Sequence, residues 1–193
     1  MLDSMSAPSS PFPTTNQEFL EGVFGVHWPR VHVCAIPGDP RDPALPKFYW
    51  RGGPAHPEIA ACTLDTNNYY CVGLFRNNSR QLINFEALVV LGIDDIGPKV
   101  DRDRVLDLLG VPTYRIETSP GNEQWGYVLD PPITYGDGAA AFQHKIRVEL
   151  TGAEVRDPGM EGLNRYLRLP YGMNGKADYG PGGHRTRFMA WGD

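Results

Sequence analysis

The stretch Ala87-Leu88-Val89-Val90-Leu91-Gly92-Ile93-Asp94-Asp95 decides how this chain is read. Its first seven residues form an unbroken apolar run, the pattern of a strand covered on both faces and placed centrally in a sheet. The run ends on two adjacent carboxylates. Charge at the end of a buried strand is costly unless a cation or hydrogen bonds stabilise it. Hard oxygen ligands in that position suit divalent magnesium or manganese. Taken alone, the pair reads more simply as an Asp turn ahead of Gly97-Pro98, which is common. Neighbours on a regular strand point to opposite faces, so both carboxylates reach one ion only where the strand ends or bulges. Gly97 and Pro98 supply such a break.

Upstream, Asn16–Phe24 carries Phe19, Leu20, Val23 and Phe24 at helical spacing. Val31–Ile36 reads as a strand, Pro37–Pro46 with its four prolines as a loop, and Asn68–Phe75 as a second strand. Downstream, a helix is expected near Arg102–Leu109, with Val105, Leu108 and Leu109 on one face. The strand Thr113–Thr118 turns at Ser119-Pro-Gly-Asn122 and returns from Gln124 as a hairpin. Asp137–Leu150 reads as a helix with Ala141, Ile146 and Leu150 among its apolar positions. Arg165–Pro170 is a last strand leading into a glycine-rich, basic tail. Hairpins mixed with helices give an α+β order with an antiparallel or mixed sheet.

Two further segments carry chemistry. The Ser119-Pro-Gly-Asn turn presents backbone N–H groups and small polar side chains suited to phosphate oxygens, and Gln124 opens the returning strand within reach of a phosphate or sugar hydroxyl. An ordinary hairpin turn accounts for the same residues. In Arg165-Tyr-Leu-Arg-Leu-Pro-Tyr-Gly-Met-Asn-Gly-Lys176, alternation puts Arg165, Leu167 and Leu169 on one face and Tyr166 and Arg168 on the other. Glycines then allow close backbone approach, with Asn174 and Lys176 as donors; Arg168 and Lys176 together suit a triphosphate.

The 193 residues suit one domain, with 1–14, rich in Ser and Pro, as a disordered leader and 15–193 as the folded part. A net charge of −5 excludes a global electrostatic footprint for nucleic acid. Positive charge is local: Gly162–Arg187 holds Arg165, Arg168, Lys176, Arg185 and Arg187 against the single acid Asp178. Cys34, Cys62 and Cys71 are scattered and form no Cys-x-x-Cys pair, which argues against a zinc ribbon or a disulfide framework. The five histidines form no ligand cluster. With no signal peptide and no long apolar span, a soluble cytoplasmic protein without membrane contact is expected.

The three segments, Leu-Gly-Ile-Asp-Asp-Ile-Gly-x-Lys, Glu-Thr-Ser-Pro-Gly-Asn-x-Gln and Arg-Tyr-x-Arg-Leu-Pro-x-Gly-x-Asn-Gly-Lys, occur in an order that resembles the archaeo-eukaryotic primase superfamily. More narrowly, they are similar to its plasmid and phage replication branch, which includes primase–polymerases. The similarity runs from about Asn16 to Arg187. It implies a catalytic core built like an RNA-recognition sheet, flanked by helices, plus a small N-terminal α/β unit. The first motif of that family is Asp-x-Asp or Asp-x-Glu, where this chain has adjacent Asp94 and Asp95; its second offers a histidine, where this chain has Gln124. Its third supplies another carboxylate, best matched by Asp157, with Glu161 the alternative.

The resemblance implies template-dependent nucleotidyl transfer. Asp94, Asp95 and Asp157 would hold two magnesium or manganese ions, and Ser119, Gly121, Asn122, Gln124, Arg168, Asn174 and Lys176 would position a nucleoside triphosphate. Single-stranded or primed DNA would be the template, and a fused or separate replicative helicase a partner. The alternative is a module of the same fold that binds DNA and recruits a helicase without catalysis; the adjacent aspartates and Gln124 favour it.

Overall fold

The computed structural model of the chain describes residues 12–152 and 161–192. Its elements begin α1 (Asn16–Phe24), β1 (His32–Ile36), β2 (Gly53–Pro54), α2 (Ala55–Glu58), β3 (Asn67–Cys71), β4 (Gly73–Phe75) and β5 (Phe85–Ile96). They continue α3 (Arg102–Leu109), β6 (Tyr114–Ser119), β7 (Asn122–Ile133), α4 (Gly136–Thr151), β8 (Tyr166–Arg168), β9 (Gly172–Asn174) and β10 (His184–Trp191).

The apolar run occupies the interior of β5, buried from Ala87 through Ile93. It sits in a six-stranded sheet of order β4-β5-β7-β6-β10-β9, facing a four-stranded sheet of order β2-β1-β3-β8. Every pairing between these strands is antiparallel. One core joins both sheets and α1, with Phe19, Leu20, Val33, Tyr70, Leu88, Tyr114 and Leu167. A second core packs α3 and α4 on the other face of the large sheet, through Ile93, Ile96, Val105, Trp125, Ile146 and Leu150. The proline-rich loop and the short helical turn after it, with Leu45, Tyr49 and Trp50, cover Cys34, Ile36 and Tyr69 on the outer face of the small sheet. The α+β class, the antiparallel sheet and the flanking helices are therefore as expected. No helix among the described residues is long and apolar enough to cross a membrane.

Helix α1 has the bounds its periodicity predicts; the Thr15 hydroxyl accepts from Glu18 N–H at one end, and Gly25 with φ +52° ends it at the other. Four features differ from expectation, each for a local reason. Asn68–Phe75 is two strands in two sheets. Val72 N–H donates to Arg165 O at 3.1 Å while its carbonyl accepts from Val89 and Val90 N–H, at 3.2 and 3.1 Å, so the chain crosses between sheets there. Gly73 allows the crossing, because a Cβ would lie 2.6 Å from Leu163 O. The small N-terminal unit takes its edge strand β8 from far along the chain. In α3 Val105 is buried but Leu108 is exposed, and α4 buries Ala139, Gln143 and Arg147 where Ala141 was expected. The basic tail is a hairpin: β10 pairs with β9 and, from Arg187↔Glu117 to Trp191↔Tyr114, with β6. Of the expected leader, residues 1–11 lie outside the described residues, while Phe12 packs edge-on to Phe188 and Thr14 N–H donates to Glu18 Oε2.

Candidate active site

Strand β5 leaves its ladder at the acidic pair. Ile93 pairs with Trp125 and Ile96 with Glu123, so β5 carries one extra residue over β7. That bulge puts Asp95 at φ +55°, a left-handed conformation that Asp tolerates better than most side chains. Strand alternation is broken there, which is the condition for adjacent carboxylates to work together. Asp95 N–H donates to Asp94 Oδ1 at 3.0 Å, and Asp95 O accepts from Lys99 and Val100 N–H at 3.0 and 3.1 Å, closing a turn. At Gly97 a Cβ would lie 2.6 Å from Gly121 O, so this turn packs directly on the Ser119–Asn122 turn.

The first two chemistry-bearing segments thus meet. Asn122 Nδ2 donates to Asp95 Oδ1 at 2.8 Å and Lys99 Nζ to Oδ2 at 2.5 Å. Burial pushes the Asp95 carboxyl up, but Lys99 and Asn122, with the charge of Lys176, outweigh it and hold the group below its ordinary value. Lys176, from the third segment, acts on the same carboxylate through its charge. Asp94 faces the small sheet instead. Gly92 lies on the same side of β5, against Leu167, and Arg165 Nη2 lies 3.4 Å from Asp94 Oδ2. Gly121, at φ +72° with nothing within 4 Å of a Cβ, leaves the turn apex open to a ligand.

The other expected ligand residues are engaged internally. Gln124 is 1% exposed; its Nε2 donates to Arg168 O at 3.1 Å and its Oε1 accepts from Arg168 N–H at 2.8 Å. One side-chain amide on the large sheet therefore serves the main chain of β8 as a neighbouring strand would. The Arg168 guanidinium is also buried. Nη1 donates to Asn67 Oδ1 and Met173 O at 3.2 and 3.1 Å, Nη2 to Asn174 Oδ1 at 2.8 Å, and the group lies 4.8 Å over the Tyr69 ring. Asn174 Nδ2 in turn donates to Thr118 O at 2.9 Å. Gln124, Arg168 and Asn174 fasten β8, β3, β9 and β6 together behind the acidic pair. Ser119 is buried at the base of its turn, paired with Asn122.

Asp157 lies outside the described residues. Its alternative Glu161 is held at α4, accepting from His144 Nδ1 at 3.0 Å and from Arg147 Nε. No group of three His, Cys, Asp or Glu that could hold a metal occurs among the described residues. Asp94 and Asp95 are hard oxygen donors of the kind magnesium and manganese take.

Two residues of the site's frame went unread in the sequence. Arg165 as the partner of Asp94 was accessible, since Gly92/Asp94 and Leu167/Arg165 alternate on facing strands. Glu123 was not: its carboxylate receives Arg102 Nη2 at 2.6 Å and Trp125 Nε1 at 2.7 Å, with Arg115 Nη1 at 3.8 Å, and so ties α3 to the sheet beside the acidic turn. No short motif announces that cage.

Two antiparallel sheets share one core, and an acidic bulge ends β5 between them and the Ser119–Asn122 turn. The structure superposes on the AEP domain of the cyanophage S-2L primase–polymerase with a TM-score of 0.57 at 12% identity, over 84% of this chain and 82% of that one. It superposes on primase RepB′ with a TM-score of 0.53 at 14% identity, over 91% of this chain and 54% of that one, so this chain spans about half of RepB′. Likeness at such identities establishes the fold. No family model and no curated protein matches the sequence.

Proposed function

We propose that the chain is a template-dependent nucleotidyl transferase of the primase–polymerase kind, acting at the end of β5. The observation that carries this reading is the left-handed bulge at Asp95, which brings Asp94, Asp95 and Lys99 together with Asn122 beside an open glycine turn, with the charge of Lys176 acting on Asp95. Asp94 and Asp95, with Asp157, would hold divalent magnesium or manganese. Such ions, when bound, supply charge neutralisation at the attacking 3′-oxygen and the leaving pyrophosphate. Gly121 and Asn122 offer main-chain and amide donors to the triphosphate, and Lys176 a point charge. Ser119, Gln124, Arg168 and Asn174 act from behind, holding strand ends and turn at a fixed separation, so that much of the acceleration comes from positioning.

One observation favours a second reading. Both Asp95 oxygens already have partners in Lys99 and Asn122, as they would in a module that binds DNA and recruits a helicase without catalysis. Incorporation of labelled ribo- and deoxynucleotides on a primed template, with magnesium or manganese, separates the two. The wild type should incorporate and the Asp94→Ala/Asp95→Ala variant should not. Incorporation that survives the double substitution would rule out this mechanism, and a wild type that binds DNA but incorporates nothing would favour the module.

A further inference from the structure

A polar cavity of about 550 Å³ opens beside the start of β1 and is lined by His32, Arg51, Asn78, Ser79, Arg80 and Gln81. Its lining holds two guanidiniums and no carboxylate, and neither Arg51 nor Arg80 enters an ion pair among the described residues. His32 is 3% exposed, and its Nδ1 has no hydrogen-bond partner; Arg80 Nε is likewise buried without one. Buried polar atoms are rarely left in that condition.

The cationic groups are fixed in advance. Arg80 lies 3.9 Å over the Tyr166 ring, donates through Nη2 to Trp50 O at 2.8 Å and through Nη1 to Asn164 O, and its own carbonyl accepts from Asn164 Nδ2 at 3.3 Å. The Arg51 carbonyl accepts from Tyr166 Oη at 3.1 Å, leaving its exposed guanidinium free to close on a ligand. The residue after Asn164 is Arg165, which reaches Asp94. One short segment therefore connects this cavity to the acidic pair.

We propose that the cavity is a phosphate subsite that holds a backbone phosphodiester of the polynucleotide on which the acidic pair acts; it rests on the reading given under Proposed function. Phosphate is the shared chemistry, and a nucleoside triphosphate is the other source of it. The donor set favours the strand. A triphosphate travels with a divalent ion, and this lining has no carboxylate to take one, whereas two arginines with amide and hydroxyl donors suit a singly charged diester.

Arg51 is the residue to change, because Arg80 also anchors Trp50 and Asn164 while the Arg51 side chain enters no hydrogen bond or ion pair among the described residues. Binding of a fluorescein-labelled oligothymidylate is measured by anisotropy over a range of sodium chloride, next to binding of magnesium–ATP. Arg51→Ala should weaken oligonucleotide binding about three- to tenfold and reduce the slope of log K against log salt by about 0.7, the loss of one single-strand phosphate contact. Arg51→Glu should weaken it further, and nucleotide binding should not change. Wild-type affinity and slope in both variants would overturn the subsite. So would a loss confined to magnesium–ATP, which would give the cavity to the nucleotide, or a wild type that binds no oligonucleotide. A chain that binds oligonucleotide through Arg51 yet incorporates no nucleotide would leave the subsite standing and remove the catalytic reading alone.

Discussion

Asp95 shows how one side chain can be held charged at the edge of a core. Burial alone raises its pKa, and the Lys99 ammonium, the Asn122 amide and Lys176 reverse that. A carboxyl depressed in the folded state stabilises the fold above its ordinary value of 3.8, and that contribution is lost as pH falls through the lower folded value. Lys99→Ala should therefore move the Asp95 titration upward, read from its side-chain carbon resonance, and shift acid unfolding to higher pH. An unmoved titration would mean that Asn122 and Lys176 suffice to hold the charge. Gln124 makes the opposite point. Gln124→Ala strands a buried N–H and a buried carbonyl of Arg168, so a loss of about 2–4 kcal/mol is expected from the denaturant midpoint at constant slope. A ligand residue with no structural duty would change nucleotide affinity and leave that midpoint in place. This contrast marks what the sequence could tell about the site. Asp94, Asp95, Asn122 and Lys176 stood out by residue type and spacing, and all four keep partial exposure. Gln124, Arg168 and Asn174 present the same donor types, and only three-dimensional pairing reveals that main-chain and side-chain partners have already taken them.

Between elements, the decisive contact is the crossing of β5 by β8, where Gly92 meets Leu167. A Cβ on Gly92 would lie 2.3 Å from Leu167 Cδ1, so Gly92→Ala must displace the buried Leu167 side chain, and β8 with it where that side chain has no other room. Overpacking of this kind costs about 1–3 kcal/mol, and it should also reduce nucleotide incorporation because Arg165 and the Gln124 clamp ride on β8. Adding Leu167→Ala vacates the space. The pair should be less destabilised than the sum of the singles by at least about 0.5 kcal/mol in a double-mutant cycle, and strict additivity would show that the strands do not press on each other there. The same crossing explains which elements were legible. Helix α1 and β5 are dictated by their own periodicity and burial, so their residues suffice. The break at Val72 depends on hydrogen bonds to Arg165, Val89 and Val90, far away in sequence. β10 was missed because arginines at 185 and 187 read as a basic tail, although Thr186 and Phe188 alternate with them and Thr186 is buried.

At the scale of the whole molecule, the two sheets are expected to form one cooperative unit. The small sheet borrows β8 from beyond α4, and the chain passes between sheets at Val72, so neither sheet is a contiguous piece of sequence. Their shared core places Phe19 of α1 against Tyr70 of one sheet and Tyr114 of the other, with ring centroids 5.7 and 4.9 Å apart. Losing either sheet would expose that aromatic contact surface on its partner. Burial scales with area, and aromatic side chains carry the largest share, so a half-folded state would forfeit much of the stability of the remainder. A single transition is therefore expected. Trp50 reports on the outer face of the small sheet and Trp125 on the outer face of the large one. In chains keeping only one of these tryptophans, with the others changed to Phe, the fluorescence midpoint in urea should coincide with the far-ultraviolet dichroism midpoint of the same chain. If the Trp50 signal moved ahead of the dichroism while the Trp125 signal did not, the small sheet would be a separately unfolding unit. The cleft holding Asp94 would then open on its own, because Arg165 leaves with β8.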